Sequence, residues 1–157
     1  MGDLVAEILA QLKLITALKL VTVWNNQFEY IQNGDNYSFP MPCGFIQIES
    51  DNNTDIGSKY QGSDLEVTIH LGQNVLNGEL IDENLTIFDL RDLVIKSLSK
   101  FKPTMAGLLT KISEQQDFDH TNIYHYEIKY RLHFIDNTAV DNEYYSVPPT
   151  NFNPNVN

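Results

Sequence analysis

Four histidines, one cysteine and a scatter of carboxylates are the groups of this 157-residue chain that could do chemistry. His70, His125 and His133 each fall on the polar face of a strand as alternation predicts it. His125 and His133 are eight residues apart on one strand, too far to share a metal ion directly. A zinc site needs three or four convergent ligands, and no histidine pair has a spacing such as HExxH. "DFDH", Asp117 to His120, has the composition of a ligand cluster. Such a run is more often a turn whose Asp side chains accept from nearby backbone amides. Cys43 lies in the apolar "MPCGFIQIE" with no base beside it, which points to a small buried side chain rather than a nucleophile. The eight glycines are scattered and make neither a phosphate loop nor a GxSxG elbow. Asp89 and Asp92 read as solvated charges, with Lys96 an i,i+4 partner of Asp92. Trp24 reads as a packing anchor. The expectation is no catalytic residue, no cofactor, no metal and no enzyme.

The elements around these groups follow from hydrophobic period. Asp3 is placed to cap a helix running to about Leu18, with Leu4, Ile8, Leu12 and Ile15 as its stripe. "LVTVW" follows as a short strand. Phe28, Tyr30 and Ile31 suggest a short edge strand before an Asn33-Gly34 turn. Phe45, Ile46 and Ile48 mark a buried strand. "SDNNTDIGSKYQGS" reads as a polar loop, too long for a tight hairpin. In "DLEVTIHL", Leu65, Val67, Ile69 and Leu71 alternate with Glu66, Thr68 and His70, the pattern of a half-buried strand. Thr86 precedes a second helix with the stripe Ile87, Leu90, Val94, Leu98 and Phe101, ended by Pro103. "GLLTKISEQ" and "NIYHYEIKYRLHF" are strands, the latter spanning about 40 Å at 3.3 Å per residue. That length is unusual, so part of it is expected to project or to pair elsewhere. The sum is one α+β domain, residues 1–135: a mainly antiparallel sheet of four to five strands, two helices on one face, and an extended C-terminal arm over 136–157.

Composition narrows the function. The hydrophobic fraction is 42%, enough for a core, and the formal net charge is −11. The ten basic residues do not cluster, which argues against a protein that grips phosphates. One cysteine excludes an internal disulfide. No basic leader, myristoylation signal or apolar run of membrane length is seen, so a protein cytosolic in the cell that makes it is expected. The last sixteen residues, Asn142 to Asn157, hold three prolines and five asparagines with no period. Ordering the 22 residues from Asp136 on costs on the order of 20–40 kcal/mol, which contacts on a neighbour would have to offset. Tyr144, Tyr145, Pro148, Pro149 and Phe152 are the candidate arm contacts, with Tyr60 and Gln61 as further interface residues.

"VWNNQ", "YSFPMPCGFIQIE", "SKYQGSDLEVTIHL", "LTIFDLRDLVIKSLSKFKP" and "LLTKISEQQDFDHTNIYHYEIKYRLHF" occur in that order. Together they resemble small neck or tail-terminator-like proteins of tailed bacteriophages and prophages, those of Bacteroidetes in particular, from about Leu20 to Phe134. The resemblance implies an α+β virion subunit, made in the host bacterial cytoplasm. It would form a six- or twelvefold ring at the head–tail junction or the tail end. Its partners would be copies of itself, adjacent neck or tail proteins, and DNA passing through the channel without specific binding; no membrane is implied. An acidic lumen suits a passing polyanion, and Asp51, Asp55, Asp82 and Glu83 are its candidates. The alternative is a small α+β ligand-binding or adaptor domain, the former requiring a pocket of convergent polar groups around His70 and His125.

Overall fold

The computed structural model describes residues 1–32, 38–57, 59–74, 87–104, 106–120 and 122–140. The elements are α1 (Gly2–Lys13), β1 (Leu20–Val23), α2 (Gln27–Gln32), β2 (Cys43–Gly57), β3 (Tyr60–Asn74), α3 (Ile87–Leu98), β4 (Thr110–Asp117) and β5 (Ile123–Asp136). The five strands form one sheet in the order β1-β2-β3-β5-β4. β1 runs parallel to β2 and every other pair is antiparallel. The fold is α+β, as the hydrophobic periods predict.

α1 and α3 cover one face. Leu4, Ile8 and Leu12 of α1 and Ile87, Leu90, Val94 and Leu98 of α3 are buried against Leu65, Val67, Ile69 and Leu71 of β3 and Ile128, Tyr130 and Leu132 of β5. The period-3.6 stripe meets the period-2 face, and this layer is the main core. α1 ends earlier than expected, at Lys13, and Met1 rather than Asp3 occupies its N-cap, with no side-chain cap bond. Ile15 and Leu18 still reach the core, through turns that close Ile15 N–H on Leu12 O and Leu18 N–H on Ile15 O. The residue Thr86 expected to cap α3 and the Asn33-Gly34 turn lie outside the described residues.

Three expectations are corrected. Phe28, Tyr30 and Ile31 belong to helix α2, not to an edge strand. Gln27 turns the chain locally: its Oε1 accepts from Asn25 N–H at 2.7 Å and its Nε2 donates to Val23 O at 2.7 Å. Phe28 and Ile31, three apart on that turn, both belong to a second apolar cluster on the far face of the sheet. The polar run Ser50–Ser63 is likewise not a loop. β2 and β3 stay paired through it, Asp51 opposite Asp64 and Gly57 opposite Tyr60, with irregularities at Asp51/Thr54 and Asp55/Gly57. Asn52, Gly57 and Lys59 take positive φ there. Asn53 Oδ1 accepts from Ser50 Oγ at 2.7 Å and from Ser63 Oγ at 2.6 Å, tying the bulge across the ribbon. β5, read as overlong, is matched along its whole length by β3, from Gln61 opposite Asp136 to Asn74 opposite Ile123.

One ion pair locks α3 to the sheet. Arg91 donates through Nε to Glu114 Oε2 at 2.9 Å and through Nη2 to Glu114 Oε1. These bonds hold the Glu114 carboxyl below its ordinary value. A depressed carboxylate contributes stability above its unfolded-state pKa and loses it as pH falls through the folded-state value. Glu114→Gln is expected to cost roughly 1 kcal/mol at pH 7 for this partly exposed pair. It should also shallow the acid limb of the stability curve. Urea unfolding of both proteins at neutral and acidic pH checks it: an undiminished difference in strong acid contradicts the assignment.

Candidate functional site

The far face of the sheet carries the side chains that alternation places opposite the main core. At one end it is not wet. Trp24, after β1, and α2 fold over it, so that Phe28, Phe45, Cys43 and Ile123 are buried there with Leu20, Phe39 and Met41 packed around them. Under this lid Trp24 stacks on His70 at 4.2 Å and 11°, and Phe28 meets His125 edge-on at 4.8 Å. The two histidines are cross-strand neighbours on β3 and β5, His70 opposite Glu127 and Gly72 opposite His125. Their exposures are 3% and 2%.

The polar groups form one line. Gln47 Oε1 lies 2.8 Å from His70 Nε2, His70 Nδ1 lies 3.0 Å from His125 Nε2, and His125 Nδ1 lies 2.9 Å from Asp117 Oδ2. Gln47 is oriented by its own Nε2, which donates to Glu49 Oε1 at 2.6 Å. Both ends of the line are therefore acceptors, the amide oxygen of Gln47 and the carboxylate of Asp117. Burial pushes the His70 imidazole down to about 3 and that of His125 below its ordinary value. Two neutral imidazoles carry two N–H groups. The end acceptors claim them, His70 Nε2–H for Gln47 and His125 Nδ1–H for Asp117. The inner nitrogens then face each other across 3.0 Å, within hydrogen-bond distance.

Glu127 faces the same gap. Its Oε1 is 3.4 Å from His70 Nδ1 and 3.9 Å from His125 Nε2, while its Oε2 accepts from Gln115 Nε2 at 2.9 Å. A second triple, Asp117, His120 and His125, shares one end of the line, with His120 Nε2 3.9 Å from Asp117 Oδ2.

The other residues singled out in the sequence fall elsewhere. Cys43 is buried with Sγ 3.6 Å from Gly72 O, and burial raises its thiol to about 12, which leaves it a neutral packing group. His133 is exposed beside Asp64. Asp51, Asp55, Tyr60 and Gln61 sit together on the β2–β3 ribbon, Gln61 opposite Asp55. Asp82, Glu83, Tyr144, Tyr145, Pro148, Pro149 and Phe152 lie outside the described residues, as does all of the proposed arm beyond Val140.

No family model matches the chain, and no curated protein matches it significantly. The chain is an α+β domain whose sheet is covered on one face by α1 and α3 and, at one end, on the other by Trp24 and α2.

Proposed function

We propose that this chain is a structural subunit of a tailed-phage virion, closing into a homo-oligomeric ring at the neck or at the tail end. The observation that carries the reading is the ribbon. β2 is exposed from Glu49 to Gly57, beyond the cover of α1 and α3, and its end presents Ile56, Tyr60 and Ile135 to solvent, Ile56 at 52% exposure. A projecting, partly apolar ribbon is suited to heterologous contact with the next copy, and such contacts close into rings. Asp51 and Asp55 on the ribbon, in a chain of net charge −11, suit a channel through which DNA slides without specific binding. Adjacent neck or tail proteins are the remaining partners in this reading. No catalytic role enters it. Among the described residues no helix is long and apolar enough to cross a membrane.

The test is light scattering and negative-stain microscopy of the purified protein, alone and with a neighbouring neck protein. Closed annular particles are expected, six- or twelvefold. Ile56→Asp with Tyr60→Ser should give a monomer with an unchanged melting temperature. Truncation after Val140 should keep the fold and weaken contact between rings. A wild-type chain that never forms annuli, alone or with its neighbour, removes this reading.

A further inference from the structure

We infer that His70, His125 and Glu127 form a binding site for a first-row divalent transition-metal ion, with zinc as the best-fitting occupant. The first observation is convergence. His70 Nδ1, His125 Nε2 and Glu127 Oε1 stand 3.0, 3.4 and 3.9 Å from one another. Ligand atoms about 2.0–2.1 Å from a tetrahedral zinc are separated by about 3.3 Å, so a cation fits the face of this triangle with small side-chain adjustments.

The second observation is independent of those distances. Each of the three groups is oriented by a separate partner on its far side. Gln47 Oε1 takes the His70 Nε2–H at 2.8 Å, Asp117 Oδ2 takes the His125 Nδ1–H at 2.9 Å, and Gln115 Nε2 donates to the unused Glu127 oxygen at 2.9 Å. Outer partners of this kind, carboxylates among them, fix the tautomer and aim of a ligating imidazole. Here they leave one nitrogen of each imidazole and one carboxylate oxygen facing inward.

The donor set selects the ion. Two imidazoles and one carboxylate suit zinc and its first-row neighbours, whereas calcium and magnesium favour all-oxygen shells. Burial under Trp24 and Phe28 screens the two nitrogens, and Glu127, with its side chain 16% exposed, opens the set toward solvent. A water molecule would complete the fourth position from that side. On this face Lys129 is turned to Glu66 at 3.2 Å. The competing triple of Asp117, His120 and His125 would use the Nδ1 that already donates to Asp117, and so requires breaking that bond.

The full-length protein, stripped with chelator and dialysed against Zn2+ alone, should retain one equivalent by elemental analysis, and Co2+ should give the visible absorption of a low-symmetry site. Glu127→Gln is near-isosteric and should weaken Zn2+ binding more than 100-fold in competition with a chromophoric chelator. Asp117→Asn and Gln47→Ala should weaken it 10- to 100-fold. His120→Ala and His133→Ala should leave it unchanged. Thermal melts of each apo protein report folding, and a Zn2+-dependent rise in Tm should be present in the wild type and absent in Glu127→Gln. Absence of stoichiometric Zn2+ in the wild type, unaltered affinity in Glu127→Gln, or loss of binding in His120→Ala each overturns the assignment. The ring state has no bearing on any of these readouts.

Discussion

Gly72→Ala should destabilise the protein by about 3 kcal/mol, the upper part of the usual range for overpacking, which is roughly a 10 °C fall in Tm for a domain of this size. A Cβ at Gly72 would lie 2.6 Å from Phe28 Cε1, closer still to Phe28 Cζ, and 2.9 Å from Cys43 Sγ. The phenyl ring has little room to yield. It is held by Trp24 at 5.1 Å, Phe45 at 5.4 Å and His125 at 4.8 Å between centroids. Gly44→Ala is the contrast, because its Cβ would meet only the ends of leucine side chains, Leu18 at 3.3 Å and Leu71 at 3.7 Å. The decisive measurement is a double-mutant cycle by chemical denaturation. Phe28→Ala is costly alone, yet combined with Gly72→Ala it removes the clash, so the pair should cost clearly less than the sum. Additive effects would mean that the two residues are not in contact.

Leu90→Ala should cost about 3 kcal/mol, within the 2–5 kcal/mol seen for buried leucines. Leu90 is 0% exposed, at the centre of the α3 stripe, whereas Phe88, two residues earlier, is 56% exposed. Phe88 leans on Tyr126 at 6.0 Å between centroids, and Phe88→Ala should cost less than about 1 kcal/mol. The ratio is the point: the larger side chain should matter less, because what counts is the area removed from water and the cavity left behind. Equal losses in urea unfolding would mean that α3 does not pack by the face described.

The α3 layer was legible because its signal is local. Ile87, Leu90, Val94 and Leu98 recur at helical spacing, and Leu65 to Leu71 alternate, so each element declares its buried face before its partner is known. The Trp24–His70–His125 assembly was not. His70 and His125 alternate with apolar residues and so read as solvent-facing; only the pairing of β3 with β5 makes them neighbours. Burial of their face depends on α2, a helix of six residues, too short to show a period. The concentration of Trp24, Phe28, Phe39 and Phe45 around a strand was the available sign that both faces of the sheet are covered at that end. The ribbon was missed for the opposite reason. Neither face of β2 beyond Glu49 is covered, so there is no apolar alternation to betray a strand, and the pairing rests on main-chain bonds and on Asn53.

β3 is a single run of backbone from Tyr60 to Asn74, with exposed residues at one end and Leu65 to Gln73 almost wholly enclosed toward the other. Local opening needs only the burial nearby to be lost. Amides around Tyr60 and Gln61 are thus expected to exchange with solvent through small fluctuations, and those around Ile69 and His70 only when the whole domain comes apart. The same strand should then have a compliant end and an unyielding one, leaving the ribbon tip free to adapt its shape without disturbing the histidines.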